Sequence, residues 1–128
     1  MTTQAFQRAD HSTVSAYLMV AGAAKLIDFL TAVFGATTVL RHDRPDGSIM
    51  HASVQIGDSV VMIADATEDY PAFPTWLHIY VPDVDATYAT ALSLGAAGVQ
   101  PPSEKGDGDR RGGFADPAGN TWWIATAV

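Results

Sequence analysis

At 128 residues, with 48% apolar and 16% charged residues, the chain is long enough for a hydrophobic core and too apolar to be disordered. A net charge of −7, with seven scattered Lys and Arg residues, argues against the clustered basic surface that nucleic acid requires. There is no cysteine for disulfide or thiolate chemistry, and no apolar run long enough to span a membrane.

Met1 to Ser12 is polar, lacks an apolar leader and reads as a frayed arm, so the cytoplasm is the expected location. Val14 to Val20 reads as a strand, with Ser15, Tyr17 and Met19 on one face and Ala16, Leu18 and Val20 on the other. Ala23 to Phe34 reads as a helix, because Ala23, Leu26, Ile27, Leu30, Val33 and Phe34 recur at helical spacing. Gly35 is its stop. Ala36 to Arg44 and Ile49 to Ile56 read as strands around the Pro45-Asp46-Gly47 turn. Ser59 to Ala64 is a fourth strand, and Asp65 to Thr75, polar and proline-containing, is a linker.

The pattern then repeats. Thr75 to Val81 is a strand, and Asp83 is the N-cap of a helix carrying Val84, Tyr88, Ala91 and Leu92 on one face. Gly95 ends that helix. Ala97 to Gln100 is a short strand closed by Pro101-Pro102, and Ser103 to Asp109 is a charged loop. Arg110 to Ala115 is a strand weakened by Gly112 and Gly113. The Asp116-Pro117-Ala118-Gly119-Asn120 turn leads into the last strand, Thr121 to Thr126, where Trp122 and Trp123 must point to opposite faces. Gly35-Ala36-Thr37-Thr38-Val39 matches Gly95-Ala96-Ala97-Gly98-Val99, and Val20 matches Val81.

The expected fold is therefore α+β. It is one domain over residues 1–128, with two βαβββ modules forming a curled mixed sheet around a cavity. Module one covers about 14–64, the linker about 65–75 and module two about 76–126.

Several stretches, in this order and spacing, resemble the vicinal oxygen chelate superfamily (glyoxalase, bleomycin resistance protein and dioxygenase), and within it the PhnB-like branch. They are Ala16-Tyr17-Leu18-Met19-Val20, Phe34-Gly35-Ala36, Asp46-Gly47-Ser48-Ile49-Met50-His51-Ala52, Leu77-His78-Ile79-Tyr80-Val81, Asp83-Val84-Asp85-Ala86, Gly108-Asp109-Arg110 and the Asp116 to Asn120 turn. The resemblance covers about residues 14 to 126. It implies eight strands around a cavity and a homodimer.

In metal-dependent members, His, Glu or Gln side chains hold one divalent ion. Carried over, their positions fall at Ser15, near Trp76, at Trp123, and among Val60, Met62 and Ala64. None is a good ligand, and Thr121 to Thr126 holds no carboxylate. The expectation is a metal-independent small-molecule binding protein without a cofactor, similar to the antibiotic-sequestering bleomycin resistance proteins.

Tyr17, His51, Met62, Trp76, His78 and Trp123 are the expected ligand-binding residues. Each has a plainer reading, as core for the aromatics and Met62 and as a satisfied half-buried group for the histidines. The alternative is a glyoxalase-like lyase or isomerase with a metal held by His51 and His78. His11 and His42 read as terminal and loop residues.

Overall fold

The computed structural model describes residues 5–128, so Met1 to Gln4, part of the expected arm, lie outside the described residues. Two compact units divide the chain, the first ending at Phe73 and the second beginning at Pro74. Among the described residues no helix is long and apolar enough to cross a membrane.

The first unit contains β1 (Tyr17–Val20), α1 (Ala23–Phe34), β2 (Thr37–Asp43), β3 (Ile49–Ile56) and β4 (Ser59–Asp65). Its sheet has the order β1-β4-β3-β2, with β1 parallel to β4 and the other pairs antiparallel. β1 begins at Tyr17, so Val14, Ser15 and Ala16 lie ahead of the strand. One sheet face carries Leu18, Val20, Ala52, Val54 and Ile63, all buried. α1 buries Ala23, Leu26, Ile27, Phe29 and Leu30 and packs on β3 and β4. Each large apolar side chain so buried contributes roughly 1.5–3 kcal/mol.

Gly22 enters α1 with φ 84, and no side chain of its own caps the helix. The Asp65 carboxylate at the end of β4 does this instead, accepting from the Ala23 N–H at 2.8 Å and the Gly22 N–H at 3.2 Å. Its other oxygen accepts from the Ile49 N–H at 2.7 Å. Burial pushes the Asp65 carboxyl up. The three amides and the Arg44 guanidinium outweigh it and hold the group below its ordinary value.

The second unit contains β5 (Trp76–Tyr80), α2 (Val84–Ser93), β6 (Ala97–Glu104), β7 (Asp109–Ala115) and β8 (Thr121–Ala127). The order is β5-β8-β7-β6, again with one parallel pair, β5 with β8. The strands thus form two open four-stranded sheets, one per repeat, in place of one ladder of eight. β6 does not stop at Pro101-Pro102 but continues to Glu104. It is an edge strand, so a proline nitrogen on its open side costs no ladder bond, and the one turned toward β7 falls where the register slips, between Gln100 and Ser103.

Asp83 caps α2, accepting from the Ala86 N–H at 3.1 Å. The helix fully buries only Val84 and Ala91, and Leu92 stays 38% exposed. Trp122, Phe114 and Ile124 fill the core beneath it. The buried Asp116 carboxylate organises the turn before β8. It accepts from the Trp122 Nε1–H at 2.8 Å, from the backbone N–H groups of Ala118 and Asn120, and from the Asn120 side-chain amide.

Candidate functional site

Strand alternation places Tyr17, Met19, Ser53, Met62 and Ala64 on the sheet face of the first unit away from α1. Tyr17 pairs with Met62, Met19 with Ala64, and Ser53 with Met62. β2 and β3 lose register between His42 and Asp43, which leaves Met50 as the extra residue of a bulge. An open cavity of about 380 Å³ lies here, lined by Tyr17, Met19, Arg44, Met50, Ala64 and Tyr70. Two phenol rings and two thioethers give it a polarisable apolar wall. Arg44 is its one charged group, held by Ser48 Oγ and the Asp65 carbonyl. The lining has no carboxylate, so the acidity of the chain is not concentrated in it.

His51 lies beside the cavity. Its Nδ1 is 3.1 Å from the Tyr17 hydroxyl, and its Nε2 is 3.0 Å from Ser53 Oγ. Ser53 Oγ also meets Nε2 of His11 at 2.8 Å, and Nδ1 of His11 meets the Ala9 carbonyl at 2.9 Å. His11 is thus a buried group at 6% exposure and not part of a frayed arm. Ser12 reinforces the attachment, its hydroxyl accepting from the Val60 N–H at 3.0 Å. His42 lies in β2, paired with His51, and not in a loop. Burial lowers the pKa of His51, and the Arg8 guanidinium, together with any charge on His42 or His11, acts in the same direction.

The other three expected residues form a separate group in the second unit. Trp76 and Trp123 meet edge to face with ring centroids 5.3 Å apart. The Trp123 indole lies over Gly113, where an added Cβ would sit 2.7 Å from the ring. The two glycines of β7 therefore answer to close approach and do not merely weaken a strand. Nε1 of Trp123 is buried and has no hydrogen-bond partner among the described residues. His78 is exposed, its Nε2 accepting from Arg111 Nε at 3.2 Å. Arg111 also pairs with Asp107 and Asp109, and the Tyr80 hydroxyl donates to Asp109. Arg110 pairs with Asp85 of α2.

Within their own units, the positions where relatives would hold a metal offer poor donors. Ser15 presents a hydroxyl, Met62 a thioether, Val60 and Ala64 hydrocarbon, and Trp76 and Trp123 indoles. His51 has both ring nitrogens engaged, and His78 faces a guanidinium. Among the described residues no group of three or more His, Asp or Glu side chains could hold an ion. The donor set does not fit the family's divalent ion.

The sequence signature of the glyoxalase/bleomycin resistance protein/dioxygenase superfamily matches residues 8–124. The chain belongs to that superfamily. Uncharacterized protein Mb0911c of Mycobacterium bovis is 34% identical over 129 residues, covering 90% of this chain and 83% of that protein. The crystal structure of TioX from Micromonospora sp. ML1 is similar at 26% identity and a TM-score of 0.72, covering 90% of this chain and 99% of TioX. TnmS3, an antibiotic binding protein from Streptomyces sp. CB03234, shares the fold at 22% identity and a TM-score of 0.70, over 92% of this superfamily member and all of TnmS3.

Of the six expected ligand-binding residues, only Tyr17 lines the cavity. His51 touches it through Tyr17, and Met62 lies beside Tyr17 in the ladder. Met19, Arg44, Met50, Ala64 and Tyr70 of the lining, and His11 behind it, were not among the expected ligand-binding residues. Tyr70 belongs to the linker, where no period marks a wall residue, and a bulge overrides the alternation that would assign Met50 to the other face. Arg44 opens the turn after β2, and only its polarity hinted at a role.

Proposed function

We propose that this chain is a metal-independent small-molecule binding protein that sequesters an aromatic ligand in the manner of an antibiotic-binding protein. The cavity of the first unit carries this reading, with Tyr17 and Tyr70 as flat walls, Met19 and Met50 as adaptable ones, and Arg44 as a cationic anchor. Its volume suits a drug-sized ring system. The likeness to TnmS3 adds that the same fold serves an antibiotic binding protein. The poor donor set at the family's metal positions supports binding without an ion.

The test is methyl NMR of the ¹³C-methionine-labelled protein against a panel of aromatic natural products, with and without chelator. Binding should shift the Met19 and Met50 methyls, be indifferent to chelator, and weaken about tenfold in Tyr17→Ala, a loss of about 1.4 kcal/mol. If no compound moves either methyl at millimolar concentration, the reading fails.

A further inference from the structure

Four side chains run in one line from the N-terminal segment, where His11 is buried, to the cavity: His11, Ser53, His51 and Tyr17. Hydrogen-bond chemistry leaves this line little freedom. The Ala9 carbonyl can only accept, so Nδ1 of His11 carries a proton. In the neutral imidazole Nε2 of His11 is then an acceptor, and the Ser53 hydroxyl donates to it. Ser53 has one hydrogen, now used, so its oxygen accepts from His51 Nε2–H. Nδ1 of neutral His51 must then accept, and the Tyr17 hydroxyl supplies the hydrogen. His11 is at 6% exposure and Ser53 at 0%, so water has little access to scramble the order.

We infer that the Ala9 carbonyl polarises this relay in one direction, so that Tyr17 offers the cavity only its oxygen lone pairs and the site selects ligands that bring a hydrogen-bond donor. The inference rests on the small-molecule reading above and adds the chemistry of the ligand. An aromatic ring bearing an O–H or N–H toward Tyr17 is accepted. A ring bearing only an ether or ester oxygen there meets lone pair against lone pair.

A proton added to His51 turns the last link round. Nδ1–H then donates to Tyr17 and frees the phenol hydrogen for the cavity. A proton added to His11 reverses the whole line with the same result. The groups facing His51 are Tyr17 from β1, His42 from β2, Ser53 from its own strand, and His11 and Arg8 from the N-terminal segment. Acid therefore abolishes the donor preference, and mildly alkaline solution preserves it.

Two measurements on the full chain test this. Long-range ¹H–¹⁵N correlation at mildly alkaline pH should show His11 protonated on Nδ1 and His51 on Nε2. The opposite tautomer at either ring overturns the relay without reference to any ligand. Calorimetry with 2-naphthol and its methyl ether, 2-methoxynaphthalene, should then favour the naphthol about tenfold or more. Tyr17→Phe should erase the preference while keeping the ring. Ser53→Ala, which uncouples His51 from His11, should narrow it. Equal affinity for both probes in the native protein overturns the selectivity. Binding of neither, with both tautomers as assigned, upholds the relay and counts against the binding reading itself.

Discussion

In the first unit a carboxylate, Asp65 at the end of β4, holds the helix entry; at the same place in the second unit, the end of β8, stands a hydroxyl. Thr126 Oγ1 accepts from the Val84 N–H at 2.9 Å and donates to the Val81 carbonyl at 2.7 Å. Asp65 can only accept, and it gathers three amides. Thr126 both gives and takes, and it needs Asp83 to cap the helix as well. The sheet faces away from the helices differ too. The first carries a hydrogen-bonded line and an open cavity, the second an indole pair and an arginine–aspartate cluster. Strand order is the same in both, so topology tolerates free exchange of the groups that decorate it.

The largest expected effect separates the two carboxylate hubs. Asp116→Ala should strip Trp122 Nε1–H and the Asn120 amide of their buried acceptor. At roughly 1–3 kcal/mol for each orphaned buried donor, the loss is about 3–5 kcal/mol by urea denaturation. Asp65→Ala exposes amides nearer to water and should cost less, about 2 kcal/mol. Equal losses would mean that burial does not distinguish the hubs.

A smaller effect tests the indole face. Gly113→Ala places a methyl 2.7 Å from the Trp123 ring and should cost about 1–3 kcal/mol through overpacking. Adding Trp123→Ala should relieve the strain, so the double variant should be more stable than the two single losses summed. Plain additivity would show that the glycine has some other purpose.

How much of this was legible in the sequence depended on range. The elements, their order and the stops at Gly35 and Gly95 follow from local periodicity and backbone preference, which residues a few places apart determine. Trp122 was assignable to the core because strand alternation forces it away from Trp123. β6 was cut short because a Pro-Pro pair argues against a strand unless the strand is known to be an edge, and edge status is a tertiary fact. The cavity was the least legible part. Tyr17 was found from its face, but Tyr70 arrives from a linker, Met50 from a bulge, and His11 from a segment whose only mark was polarity. Such contacts join residues far apart in sequence, and no period encodes them.

The smallest effect belongs to Asp85, and pH tells it apart from Asp65. Asp85, in the first turn of α2, pairs with Arg110 in solvent. The hydrogen bond from Arg110 lowers its pKa, but salt and water screen such a pair, so Asp85→Asn should leave the urea midpoint unchanged within error. Asp65 also sits below its ordinary value, through amides that only the folded chain provides. A carboxyl whose folded pKa is depressed stabilises fully above its unfolded value, and that contribution is lost as pH falls through the folded one. The native protein should therefore lose stability in acid more steeply than Asp65→Asn, and the two urea midpoints should converge at low pH. Asp85→Asn should track the native protein throughout. If it is Asp85→Asn that flattens the acid limb, the second helix depends on its surface pair, and the contrast between a carboxylate-held and a hydroxyl-held helix entry is wrong.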